Sequence, residues 1–126
     1  MPAFVNLPVT DLAASVAFYT GAGFALGPRM ADDTAALVKT LIEAGLDFIK
    51  DDELIANPPY SPVAQRVAAV MRVINDHAER TGKRVMYAFN ISGESDEMRR
   101  HHDTVFAAGG TCVMVSLNHV GFAGVS

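Results

Sequence analysis

Lys50, Asp51, Asp52 and Glu53 place one cation and three carboxylates side by side. Mutual repulsion makes such a run costly unless water screens it or a cation is shared, and Lys50 supplies only one positive charge. A bound divalent cation would relieve the strain. Oxygen-only donors suit Mg²⁺, which takes one or two carboxylates and completes its octahedron with water or substrate oxygens. On spacing alone, a solvated turn whose acids cap the next segment fits the same residues, and both readings stay open.

The other candidate groups carry weaker signals. His101 and His102 are adjacent, so they face different sides of a helix, whereas a metal pair wants one turn of separation. Glu97 and His101 are expected to form a solvated pair on the helix surface, His102 to border the core with Met98, Val105 and Phe106, and His77 to lie on a helix surface. Met71, Met86, Met98 and Met114 fit helical or strand interiors and need no cofactor. Gly109-Gly110 and the glycines at 121 and 124 lack the spacing of a phosphate loop or dinucleotide fingerprint. The spacing offers no serine or cysteine triad, and no catalytic base is identified.

These groups need elements to hold them. Residues 4–9 are strand-like, and Thr10-Asp11 can cap a helix carrying Leu12, Val16, Phe18 and Tyr19. Residues 25–30 contain Gly27 and Pro28 and read as an edge strand or a linker. Asp32 or Asp33 can cap the next helix, in which Leu37, Val38, Leu41 and Ile42 repeat at helical spacing before Gly45. A short strand follows over 46–49. Ser61-Pro62 opens the clearest helix, with Val63, Val67, Val70, Met71, Ile74 and Ala78 on one face and Gly82 after its end. Counted from residue 32, residues 84–91 predict a second strand, 95–108 a third helix, and 111–117 a third strand apolar on both faces.

Helices alternating with short apolar strands imply parallel pairing through right-handed crossovers, so the class is α/β. The residues just after each parallel strand meet along one rim, where such folds place their chemistry. That rim holds the Lys50–Glu53 run, then Asn90 and Ser92, then Ser116, Asn118 and His119. Asn90, Ser116, Asn118 and His119 are thus the candidates for touching a substrate.

With 126 residues, half of them hydrophobic and 19% charged, the chain suits one globular domain. Its formal charge of -4, without a Lys or Arg block, argues against a nucleic acid or an anionic membrane surface as partner. A small-molecule substrate is the expected partner. Cys112, the single cysteine, excludes an internal disulfide and fits a reducing compartment. The start lacks the pattern of a secretory signal, and no stretch approaches the ~18 apolar residues of a membrane span, so a cytoplasmic protein is expected.

Particular phrases resemble a known family. Thr34 to Val38, Gly45-Leu46-Asp47-Phe48-Ile49-Lys50-Asp51-Asp52-Glu53 and Tyr87-Ala88-Phe89-Asn90 resemble the large chain of ribulose-bisphosphate carboxylase, above all its RuBisCO-like branch. Further matching phrases run from Ala56 to Pro62, Gly82 to Tyr87 and Ala108 to Val115. The resemblance implies a (β/α)₈ barrel whose second strand ends in this Lys-Asp-Asp-Glu segment. It implies that Lys50 is carbamylated by CO₂ and binds Mg²⁺ together with Asp52 and Glu53. The implied chemistry is enolisation, with carboxylation or decarboxylation, of a sugar-phosphate-like substrate. Val115-Ser116 stands where true carboxylases have His-Asp, which points to the RuBisCO-like branch.

The N-terminal phrases Phe4 to Leu12, Ser15 to Tyr19 and Gly23-Phe24 resemble instead the opening βα unit of the glyoxalase/bleomycin-resistance, or vicinal-oxygen-chelate, family. Phe4 stands where that family often has a metal-binding His. The expected architecture is therefore a partial (β/α) barrel of parallel strands over 32–126, preceded over 1–31 by a βα unit of different origin. Several catalytic segments of the complete barrel have no counterpart here, so a segment weakly active or inactive alone is expected. Two alternatives come from other classes: a non-catalytic half-barrel that assembles as a homo-oligomer, and a small vicinal-oxygen-chelate metalloenzyme.

Overall fold

The computed structural model describes residues 11–22 and 30–125. The expected strand over 4–9 and most of the 25–30 segment lie outside these residues. Helix α1, Leu12–Gly21, starts as its sequence requires: the Asp11 carboxylate accepts the Ala14 amide at 3.0 Å. Helix α2 spans Met30–Glu43, so Asp32 and Asp33 lie inside its first turn rather than ahead of it. There they favour the positive end of the helix dipole without being its cap. Gly45 then takes φ 96°, its amide bonding the Ile42 carbonyl at 2.9 Å, which ends the helix in the left-handed turn expected of it.

Strand β1, Phe48–Lys50, begins two residues later than the pattern predicts and carries the chain to Lys50 itself. Helix α3 follows as Val63–Thr81, its first amide bonded to Asn57 Oδ1 at 3.0 Å and its end set by Gly82 at φ 74°. Strand β2 is Met86–Asn90, helix α4 Ser95–Ala107, strand β3 Cys112–Met114 and helix α5 Leu117–Val125. Helix α5 replaces the end of the strand expected over 111–117. Leu117 starts a helix whose amides at His119 and Val120 bond the Ser116 carbonyl, and Gly121, at φ 70°, kinks it.

The described sheet has three strands in the order β1-β2-β3, all parallel, with Ile49 opposite Tyr87 and Phe89 opposite Val113. Strand β2 is central. Its Tyr87 and Phe89 face the helices and join Val38 and Ile42 of α2, Val63, Val67, Val70, Met71 and Ile74 of α3, and Val105 of α4 in one core. Phe89 is fully buried, worth about 1.5–3 kcal/mol of apolar transfer. The approach of β3 to α4 requires a glycine: a Cβ on Gly110 would lie 2.5 Å from Val105 Cγ1 and 3.0 Å from its carbonyl oxygen. On the other face of the sheet the register partners Phe48 and Met86 stay about half exposed. No helix among the described residues is long and apolar enough to cross a membrane.

Candidate functional site

The Lys50–Glu53 run leaves β1 at the rim, and the fold treats its acids differently. Asp51 turns inward and is 4% exposed, whereas Lys50, Asp52 and Glu53 are exposed. Both Asp51 oxygens are committed. Oδ2 accepts Arg66 Nε at 2.9 Å and the Asn90 amide at 2.8 Å, while Oδ1 accepts the Tyr87 hydroxyl at 2.5 Å. Arg66, from the first turn of α3, is 1% exposed and its remaining donors are also used: Nη1 on the Ser61 carbonyl at 2.6 Å and hydroxyl at 3.2 Å, Nη2 on the Ala56 carbonyl at 2.8 Å. A buried ion pair is tolerated only when its hydrogen bonds are satisfied, and here they are. Burial, reinforced by the Asp51 carboxylate, pushes the Tyr87 phenol well above its ordinary range, so it stays a donor.

Asn90, at the end of β2, is fully buried and forms the second layer. Its Nδ2 donates to the carbonyls of Asp52 and Glu53, each at 3.1 Å. Its Oδ1 accepts the Ser92 amide at 3.0 Å and the Ser92 hydroxyl at 2.6 Å, which fixes the amide's orientation. Ser92 Oγ in turn accepts the Ser116 amide at 2.7 Å, so the ends of all three strands are joined through side chains.

Among the side chains expected to hold a cation, Lys50 Nζ lies 4.0 Å from Glu53 Oε1 and 3.3 Å from the Asp51 carbonyl. The Asp52 carboxylate caps its own turn: Oδ1 accepts the Leu54 amide at 2.7 Å, one oxygen of the pair being enough for that. Among the described residues no three His, Cys, Asp or Glu side chains are grouped to hold a metal. A metal here therefore needs an oxygen from Lys50, which a free amine lacks and a carbamate would bring. With that change the donor set is all oxygen, as Mg²⁺ prefers.

The remaining rim candidates are placed by β3 and α5. Ser116 closes the network through its backbone, and Asn118 and His119 are exposed on the first turn of α5. His119 borders, with Glu94 and Glu97, a hollow of about 260 Å³ at the start of α4. A larger open hollow, about 540 Å³ around Asn75, Arg84 and Gly109, lies at the other ends of α3 and α4, away from the rim.

Two histidine expectations fail. The His102 side chain is 57% exposed, beside Asp103 and stacked on an exposed Phe106, so that stripe faces outward. His101, three residues from Met98 and four from the buried Val105, turns inward instead, and its Nδ1 is buried without a protein partner. Nor do Glu97 and His101 pair, because the Glu97 carboxylate reaches back to the Glu94 amide at 3.3 Å. His77 is half-buried rather than freely exposed.

Sequence reasoning missed Arg66, Tyr87 and Ser61. Arg66 carried a signal: it sits on the stripe of Val63, Val67 and Val70, where a cation has to find an acid.

Residues 24–126 match the model of the ribulose bisphosphate carboxylase large chain, catalytic domain. An uncharacterized ribulose bisphosphate carboxylase-like protein of Bordetella bronchiseptica is 62% identical over 92 residues, 73% of this chain and 22% of that protein. The 3-oxo-isoapionate-4-phosphate decarboxylase of Rhizobium etli is 56% identical over 103 residues, 81% of this chain and 24% of the relative. The crystal structure of a rubisco-like protein from Burkholderia fungorum superposes with a TM-score of 0.73 at 54% identity, covering 75% of this chain and 24% of that one. The chain thus spans less than a quarter of the length of these relatives.

Proposed function

Because the chain belongs to the family of the ribulose bisphosphate carboxylase large chain, catalytic domain, we propose that Lys50, Asp52 and Glu53 form its Mg²⁺ site after Lys50 is carbamylated. The observation that carries this is the 4.0 Å approach of Lys50 Nζ to Glu53 Oε1 at the end of β1, beside an Asp51 that is fully consumed by the fold. The neutral Lys50 amine attacks CO₂, a C–N bond forms and a proton is released, so one cation among two acids becomes a third acid. When bound, the metal supplies Lewis-acid polarisation of a substrate carbonyl.

The chain's own part is to hold these oxygens at a rim bordered by Asn90, Ser116, Asn118 and His119. The substrate class we propose is a phosphorylated oxo-sugar, in line with the name of the Rhizobium etli relative, with enolate-forming loss or gain of a carboxyl group as the reaction. Since the chain spans less than a quarter of the Bordetella bronchiseptica and Rhizobium etli relatives, we propose metal binding without full turnover for these residues alone. We propose that residues 1–31 are of different origin from 32–126, although the family match begins at residue 24.

Calorimetric titration of the chain with Mg²⁺ in bicarbonate buffer tests this reading. Binding that depends on bicarbonate and is lost in Glu53→Ala supports it; no binding, or equal binding by Glu53→Ala, refutes it.

A second reading rests on the register partners Phe48 and Met86, both about half exposed on the sheet face opposite Tyr87. Such a face favours homo-oligomers in which copies cover one another. Light scattering that finds a monomer at all concentrations refutes it.

A further inference from the structure

Side chains exposed on a short turn hold a metal only if the turn's backbone is held first. The turn from Asp51 to Leu54 contains no regular structure beyond β1, and its own bonds are few: the Asp52 cap on Leu54 and the Ile55 amide on the Asp52 carbonyl at 3.2 Å. Its principal tie to the rest of the molecule above Asp51 is one side chain. Asn90 Nδ2 spends one hydrogen on the Asp52 carbonyl and the other on the Glu53 carbonyl.

We propose that Asn90, from the central strand, is a positioning residue that sets the backbone of Asp52 and Glu53 for cation binding, with Ser92 orienting its amide. The proposal rests on the ligand reading above and goes beyond it by assigning the group that acts through those ligands. Asn90 is fully buried and all its hydrogen-bonding positions are filled, so it contributes no atom to a ligand itself. The amide's polarity is what matters. An isosteric carboxylate would put an oxygen against two carbonyl oxygens and push the turn outward. The same device ties the third strand's end to the site, because Ser92 Oγ donates to Asn90 Oδ1 and accepts the Ser116 amide.

The test uses the full chain, Mg²⁺ in bicarbonate buffer as the probe, and calorimetric affinity as the readout, with thermal midpoints measured in parallel. Asn90→Asp is expected to bind Mg²⁺ about tenfold more weakly or worse, equivalent to about 1.4 kcal/mol. Ile74→Ala, a core change on α3 distant from the turn, supplies a comparably destabilised protein whose affinity stays at the wild-type value. Ser92→Ala keeps both Nδ2 bonds but loosens the amide's orientation, and is expected to lose about threefold, as one neutral hydrogen bond is worth.

Wild-type affinity in Asn90→Asp overturns the proposal, as does a loss matched by Ile74→Ala at equal thermal midpoint. If Asn90→Asp does not fold, wild-type affinity in Ser92→Ala overturns it. Glu53→Gln separates the two layers. Its loss of binding beside an unaffected Asn90→Asp sinks the positioning role alone, whereas unchanged binding in Glu53→Gln sinks the ligand reading and this proposal with it.

Discussion

Replacing Arg66 by Met removes the cation from beneath the rim while keeping the length of its stem. Asp51 would retain the Tyr87 hydroxyl and the Asn90 amide but would be left as a buried charge without a counter-ion. Removing one partner of a buried pair costs about 3–5 kcal/mol. The carbonyls of Ser61 and Ala56 also lose their donors, of which only the half-buried Ala56 is open to water in part. A domain of this size has about 5–15 kcal/mol of stability in total, so Arg66→Met should remove a large share of it. With a urea m-value of about 1–3 kcal/mol/M, the unfolding midpoint should fall by more than about 1 M.

A charge-free pair separates this mechanism from simple loss of packing. In Arg66→Met combined with Asp51→Asn, no buried charge is left unpaired, so the double variant should be less destabilised than the sum of the two single ones by about 1–3 kcal/mol. Urea titrations followed by circular dichroism read both quantities. A loss below about 1 kcal/mol in Arg66→Met, or strict additivity in the double variant, would refute the buried-charge argument.

Two further outcomes follow from the same contacts. The Tyr87 proton is held more tightly in the folded chain than in the unfolded one, whose phenol has the ordinary value of 10.0. Above that pH unfolding releases a proton, so stability should fall as pH rises, and Tyr87→Phe should flatten that slope in alkaline urea titrations. An unchanged slope would mean that the phenol is not confined. Gly110→Ala should lower the thermal midpoint by the equivalent of about 1–3 kcal/mol, because Val105 and its backbone have no room to yield; a neutral effect would show that β3 shifts freely against α4.

The parts legible in the sequence are those where periodicity and a stop signal agree. Helix α3 is the clearest case, its buried Val63, Val67, Val70, Met71 and Ile74 ending at a left-handed Gly82. The parallel order and the rim followed from that alternation. Helix α5 was not legible, since Leu117 extends the apolar run of Cys112–Val115 across a single Ser116, and Gly121 and Gly124 disfavour a helix. His101 and His102 were exchanged because Phe106 was counted as core, although a helix of this length leaves one apolar residue outside at little cost.

Within the acidic run, Asp51, Asp52 and Glu53 look alike on paper. What separates them is the register of β1 and the long-range arrival of Arg66, Tyr87 and Asn90. Arg66 was read past because arginines usually face water. The strand that carries Tyr87 was legible, but the hydroxyl's partner thirty-six positions away was not.

The outer strands β1 and β3 are three residues long, so their ladders hold few main-chain bonds. Order just past their ends therefore depends on side chains reaching out from the middle strand. In exchange terms, the amides of Asn90 and Ser116, sealed by Asp51 and Ser92, belong with the interior of the sheet, although one closes a strand and the other leads into α5. The strand ends at the rim are thus tied by buried side chains as well as by the ladder.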